Sequence, residues 1–330
     1  MFAYLVRRVL WTFLLLLVIT FVTFVIFFAA PNDPARTVCG GSQASAQCIR
    51  AATIRLGLDK PLPVQYAIFV KRLVTEHSLG VSMASGQRVN DTILQAAPVT
   101  GSLVFGAAVL WLVVGLVVGV FSALRPRSLF DRTAMIFVLV GISAHPIWIG
   151  LILEYFFGVK WHITPIANYA NFWGAPKGSG MPGGPWQWLY HLILPWCTFA
   201  LLFAALYARM IRASMIETLD EDYVRTARAK GASERRVLFR HVLRNALLPV
   251  VTMLGMDVGV ALGGAIFTES VYQLHGLGWT LITAIGLSDF AVVQGVVVFA
   301  TLAILSLNLL VDVLYAAIDP RIRLTRTTFG

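Results

Sequence analysis

Apolar residues gather in six long runs, separated by stretches that are polar, turn-rich or basic. The runs are Val9–Ala30, Val99–Leu124, Ala134–Phe157, Leu189–Ile211, Leu247–Phe267 and Ala291–Ala317. Each is long enough to cross a bilayer, which takes roughly 20 residues of helix. In lipid every backbone polar group must be satisfied within the segment, so runs of this length are expected as helices. The pattern predicts an all-α, polytopic membrane protein with six transmembrane helices. The first run follows Arg7-Arg8 and ends in Ala29-Ala30, as a secretory signal would. Its 22 residues exceed the roughly 7–15 of a signal's apolar region, so it is read as a span.

Composition agrees with this and excludes an ordinary soluble enzyme. Of the 330 residues, 58% are hydrophobic and 13% charged, and the mean hydropathy is +0.77. A typical soluble domain is roughly 25% charged. The net charge of +10 and pI near 9.9 suggest nucleic acid only until the charge is located. With the N-terminus inside, 17 of the 26 Lys and Arg residues fall on the inner side and 9 on the outer. Nine of the inner ones lie within 209–244. Positive charge stays on the cytoplasmic side, so both termini are expected there.

The chain therefore divides into a first span (1–30), an extracytoplasmic segment (31–98), a core of five spans (99–317) and a cytoplasmic tail (318–330). In the outer segment, Asn32-Asp33-Pro34 and Pro61-Leu62-Pro63 are turn signals. Val64, Ala67, Ile68, Leu73 and Val74 approximate helical spacing. That helix would lie on the outer membrane face or a partner, or pack on the protein's own spans. Cys39 and Cys48 share this segment. Two readings stand for them: a disulfide on the oxidising side, or two free thiols. Asn90-Asp91-Thr92 is a sequon too short to carry weight. A second outer segment, 158–188, is rich in Gly, Pro and Trp. Trp161, Trp173, Trp186 and Trp188 fit an interfacial aromatic belt.

The longest inner loop, 217–249, does not read as a loop. Asp220, Glu221 and Asp222 open a helix at the dipole end that favours carboxylates. Gly231 ends it. Ser233 can cap a second helix, with Glu234 in its first turn, running through Val237, Leu238, Val242 and Leu243 toward Pro249. An exposed hairpin of this kind can dock in a groove on a soluble partner or lie as a basic surface on anionic lipid.

The stretch DYVRTARAKGASERRV…HVLRNALLPV resembles the cytoplasmic-loop signature of permease subunits of bacterial ABC importers, in the dipeptide/oligopeptide and nickel branch. The resemblance covers nearly the whole chain. It includes the Arg7-Arg8 opening, the turn Pro31–Pro34 with Asn32 where glycine is usual, and LGLDKPLPVQY at 56–66. It continues through Glu269–Tyr272, Gly276-Leu277-Gly278, Asp289, Asn308–Asp312 and Asp319-Pro320-Arg321. Arg225-Thr226-Ala227 stands where the broad family has Glu-Ala-Ala, and the Leu-Pro after the glycine comes late. Both are typical of the peptide branch. His275 stands where proline is usual.

The resemblance implies the type I ABC importer permease fold. It implies a coupling helix, Asp222–Gly231, seated in a cleft of a cytoplasmic ATPase, so that ATP-driven closure rocks the spans between inward and outward states. Residues carried over are Asp222, Tyr223, Arg225, Ala227, Arg228, Lys230 and Gly231, with Asn245 and Pro249 fixing the return to the membrane. It implies a second permease subunit, ATPase subunits holding ATP and Mg, a substrate-binding protein outside, and a short peptide as substrate. Nickel and glutathione importers share the pattern.

The chain has no GxxxxGK[ST] phosphate loop, so hydrolysis is expected in partner chains. No cofactor, catalytic residue or metal site is expected; His77, His145, His162, His191, His241 and His275 are scattered. Carboxylates in spans are functional candidates by default. Glu154 and Asp257, with Glu269 near the outer end of the fifth span and Asp312 near the inner face, could meet a peptide's cationic N-terminus or serve interhelical contacts. His145-Pro146 breaks the third run. Gly255, Gly259, Gly263 and Gly264 are expected to face a second permease subunit. The rival readings are an ion-driven secondary transporter, which would leave the hairpin unexplained, a membrane enzyme, which would lack a catalytic constellation, and a scaffold membrane protein.

Overall fold

The computed structural model describes residues 2–29, 35–36, 39, 44–56, 59–174 and 183–318. The turns at 31–34 and 319–321, residues 57–58 of the 56–66 stretch, nearly all of the tail and much of the Gly/Pro-rich stretch 175–182 lie outside them, as does the side chain of Asp312. Among the described residues the chain is helical apart from turns and one isolated bridge, Val81 to Arg88.

The helices are α1 (Phe2–Ala29), α2 (Ala46–Leu56), α3 (Leu62–Thr75), α4 (Val89–Leu124) and α5 (Leu129–Ser143). α6 (Pro146–Lys160) turns from α to π at Glu154. α7 (Pro185–Leu219), α8 (Asp222–Ala229) and α9 (Glu234–Ala246) follow, then α10 (Leu248–Gly264), α11 (Ile266–Val271), α12 (Leu277–Gly286) and α13 (Phe290–Ile318).

Helices α4 and α7, and α13 over Phe290–Leu310, are unbroken and long and apolar enough to cross a membrane. Two further candidates are bent pairs: α5 with α6, at 108°, and α9 with α10, at 44°. In α1 the apolar stretch is Leu10–Ile26. The six expected runs thus do not become six uniform rods. The helix of the second run, α4, starts ten residues early, at Val89, because Asn90, Asp91 and Gln95 continue the helix as polar turns that a hydropathy reading assigns to the loop. The third run breaks at His145-Pro146. A residue before proline is driven out of the α region, and His145 is extended at φ −73°, ψ 137°. Its Nδ1 accepts the Ile147 N–H at 3.3 Å, capping the new helix.

The chain forms two compact units. One comprises Met1–Thr100 and His275–Leu309, the other Gly101–Leu274 and Leu310–Gly330.

In the first unit Val89, Ile93 and Ala96 pack with Leu277, Ala284, Val292, Val293 and Val296. Helix α3 packs on the chain's own first helix. The Tyr66 hydroxyl lies 2.9 Å from Thr20 Oγ1 and donates to the Leu17 carbonyl at 2.9 Å, and its ring meets Phe21 and Phe24 edge-on. Cys39 and Cys48 are joined as a disulfide, with Cα atoms 5.9 Å apart. Asp289 is buried at the start of α13. Its carboxylate accepts from Ser82 Oγ, from the Met83 and Ala84 N–H groups, each at 3.2 Å, and from the Val292 N–H at 3.4 Å. One side chain therefore caps a helix and holds the 82–85 turn. His275 is exposed, its ring against Trp279.

In the second unit α7 is the axis. Trp111 stacks on Phe203 at 4.5 Å, and Trp196 Nε1 donates to the Ser102 carbonyl at 3.0 Å. Helix α4 reaches α7 through glycines. A Cβ on Gly106 would fall 2.0 Å from the Trp196 ring, and one on Gly119 would fall 2.8 Å from both the Ala208 carbonyl oxygen and Ile211 Cβ. Since Ala208 contributes backbone at that point, Gly119→Ala is expected to force the helices apart and destabilise the protein by about 1–3 kcal/mol. Gly101→Ala, on the same helix with no atom of this chain within 4 Å, is expected to be neutral or mildly stabilising. Thermal unfolding of the two variants in one detergent measures the difference; equal midpoints would remove the close-approach argument. Of the glycines on α10, Gly255 and Gly259 are buried in this chain's own packing, whereas Gly263 is exposed. Of these three, Gly263 is the one left open on this chain.

Candidate functional site

The hairpin 217–249 takes its shape from local chemistry. Helix α8 begins at Asp222, with Glu221 at the N-cap and extended. It ends at Gly231, whose φ is +79°. The Gly231 N–H donates to the Arg228 carbonyl at 2.9 Å and the Ala232 N–H to the Ala227 carbonyl at 3.2 Å. This pair of bonds is the Schellman closure, which needs a left-handed residue and so favours glycine. Ser233 sits at the next N-cap, but its side chain makes no capping bond. The second helix is not regular: residues Val237–Val242 are wound as a π-helix. A five-residue hydrogen-bonded turn brings Val237 and Val242 onto one face, and both are fully buried, as is Val224 of α8.

Of the hairpin residues singled out from the sequence, Tyr223 and Asn245 are brought together. Asn245 Nδ2 donates to the Tyr223 hydroxyl at 2.8 Å, tying α8 to the end of α9. Arg228 pairs with Glu234 across the glycine turn at 3.0 Å. Arg225 lies 3.6 Å from Asp222. Both pairs are solvent-exposed, and such pairs contribute roughly 0–1 kcal/mol. Lys230, Gly231 and Pro249 are exposed, and Ala227 is half-buried. The outcome is a buried apolar seam beneath an outer surface of Asp222, Arg225, Arg228, Lys230, Arg235, Arg236 and Arg240.

At the root of the hairpin stands a group the sequence reading passed over. Asp131, in the first turn of α5, has a side chain only 5% exposed and takes both Nε (2.6 Å) and Nη2 (2.9 Å) of Arg212 on α7. It also accepts from Ser122 Oγ and from the Arg127 N–H at 2.8 Å. Ser214, half a turn further along α7, donates to the Ala246 carbonyl at 3.0 Å.

Three of the four carboxylates considered for a pathway have described side chains, and they lie on three helices. Glu154 opens the π turn of α6 and is half-buried. Asp257 on α10 accepts the Tyr207 hydroxyl at 2.8 Å. Glu269 on α11 is fully buried. Tyr272 donates to the Gly150 carbonyl at 3.3 Å, and its oxygen takes the Thr198 hydroxyl at 2.7 Å. Of the four tryptophans expected in the aromatic belt, Trp161, Trp173 and Trp186 are exposed, while Trp188 packs edge-on against Trp196 and Phe172.

Residues 115–324 match the model for binding-protein-dependent transport system inner membrane components, and residues 1–104 match that for the N-terminal part of the same membrane components. The chain belongs to this family. It is a transport permease subunit and a multi-pass inner-membrane protein. The di/tripeptide transport system permease protein DppB of Pseudomonas aeruginosa is 40% identical, over 92% of this chain and 94% of that protein. The dipeptide transport system permease proteins DppB of Alkalihalophilus pseudofirmus and Escherichia coli are 36% and 37% identical, over 98% and 92% of this chain and 100% and 94% of theirs. Among solved structures, a chain of the MetNI methionine ABC transporter in inward-facing conformations superposes with a TM-score of 0.54 at 18% identity, covering 69% of this permease and 96% of that chain. That likeness concerns the fold. In this permease the missed pair had one legible signal: Ser128-Leu129-Phe130-Asp131 before an apolar run is a helix-start pattern, and Ser128 Oγ accepts the Asp131 N–H at 3.2 Å. Nothing local pointed to Arg212 as its partner.

Proposed function

We propose that this permease forms half of the translocation pathway of an ATP-driven importer of di- and oligopeptides, coupled to a separate ATPase through Asp222–Gly231. The observation that carries the reading is relatedness at 36–40% identity, over nearly the full length, to proteins named as dipeptide and di/tripeptide transport permeases. The exposed helix, glycine turn and second helix supply a surface suited to a groove on a soluble partner. In this reading the chain crosses the membrane six times with both termini in the cytoplasm, as its Lys and Arg distribution favours. A second permease completes the pathway, a substrate-binding protein delivers the peptide from outside, and ATP and Mg belong to the ATPase chains. Glu154, Asp257 and Glu269 are candidates for meeting the peptide's ammonium end.

The test is tagged purification in mild detergent with mass spectrometry of the retained chains, followed by reconstitution and uptake of a labelled dipeptide. Recovery of a second permease and a phosphate-loop ATPase, with ATP-dependent dipeptide uptake, is expected. Uptake of nickel or glutathione instead would reassign the substrate. This chain alone, active without ATP under an ion gradient, would overturn the importer reading.

A further inference from the structure

We propose that Asp131 and Arg212 form a clamp that makes the α4–α5 turn move as one body with the coupling hairpin; this rests on the coupling reading of Asp222–Gly231. Three observations carry it. The pair is bidentate, with Asp131 buried and Arg212 partly buried, and the Asp131 carboxylate is further held by Ser122 of α4 and the Arg127 N–H of the turn. One side chain thus ties the end of α4, the turn and α5 to α7. From Arg212 the same helix runs unbroken for seven residues to Leu219, about 10 Å at the helical rise. Asp220 and Glu221 then lead directly into α8. Finally, Ser214 binds the Ala246 carbonyl, so the returning arm is attached to α7 within one turn of the clamp.

An ion pair with one partner taken out of water is weak evidence for stability alone, since apolar residues of similar shape often serve as well. What a bidentate pair adds is a single relative geometry of the elements it joins. Displacement of α8 by a closing ATPase would pass along α7. Without the clamp, α5 could lag; with it, the end of α4, the start of α5 and α7 shift together. Asp131 and Arg212 are positioning residues in this account.

The test uses the complete transporter in nanodiscs, in a Cys197→Ser background, with spin labels at Leu129→Cys on α5 and Phe239→Cys on the hairpin, both exposed positions. In the otherwise unaltered protein the 129–239 distance is expected to be narrow and equal in the nucleotide-free and ATP-trapped states. Asp131→Asn with Arg212→Gln removes both charges, so neither is left unpaired. In that variant the distance is expected to broaden and differ between states, and peptide uptake per ATP hydrolysed to fall about tenfold while hydrolysis persists. Asp131→Asn alone, with assembly verified by co-purification, should act in the same direction. An unchanged distance and unchanged uptake per ATP in the double variant would overturn the clamp. So would a distance that shifts between states in the unaltered protein while a Gly231→Pro variant fails to transport. Normal uptake in the Gly231→Pro variant would instead remove the coupling reading.

Discussion

Replacing Gly231 with proline is expected to abolish uptake while leaving the chain in the membrane at its normal level. Gly231 closes α8 with φ at +79°. Proline is locked near −65° and has no N–H, so it cannot adopt this turn or donate to the Arg228 carbonyl. The local penalty is about 3 kcal/mol or more. It falls on an exposed turn, where a Cβ would meet no atom within 4 Å. The spans should therefore fold, and only the angle between α8 and α9 should be lost. The same reasoning orders a series. Asn tolerates the left-handed region and should retain most uptake. Ala, which costs about 1–2 kcal/mol there without a clash, should fall between Asn and Pro. Labelled dipeptide uptake, divided by the membrane level of each variant, checks the order. Equal uptake in all four proteins would show that the shape of the turn does not matter to transport.

The second large effect is expected at Asp289. Its carboxylate serves Ser82, Met83, Ala84 and Val292 at once. Asp289→Ala leaves the Ser82 hydroxyl and the Val292 N–H, both on buried residues, without that acceptor, and removes the cap of α13. Unsatisfied buried groups cost about 1–3 kcal/mol each and a lost cap typically about 1 kcal/mol. A destabilisation of about 3 kcal/mol is expected, seen as a lower unfolding midpoint in detergent and faster proteolysis within 82–88. Asp289→Asn keeps one acceptor oxygen and should lose less. If the alanine variant melts with the parent and its turn resists protease equally, the carboxylate does not hold the turn.

The hairpin was the most legible part of the molecule. Its carboxylate-rich start, its glycine and its apolar positions are local signals, and each marks where a helix begins, ends or buries a face. The π winding of 237–242 left no such signal, because it follows from seating Val237 and Val242 together against the rest of the unit. His145-Pro146 announced a break, but proline specifies only the conformation of the residue before it. The 108° angle comes from what the two halves pack on, such as Phe267 against the His145 ring at 5.0 Å. The early start of α4 at Val89 was missed for the opposite reason: polar residues can continue a helix beyond its apolar stretch.

By itself the sequence determined the helical, membrane-embedded class, the position of most apolar runs and the place and helix–glycine–helix order of the hairpin. Those depend on run length, periodicity and cap residues, which act over one to a few turns. Only the tertiary structure decided the partners of the buried charged groups. Asp131 finds Arg212 81 residues away, and Asp289 finds Ser82 207 residues away. Any of the chain's many Arg, Ser and Thr residues could satisfy a carboxylate chemically. Which one does so is set by the close approach of helices, as at Gly106 and Gly119 against α7, and that geometry is a property of the packed chain rather than of any local stretch.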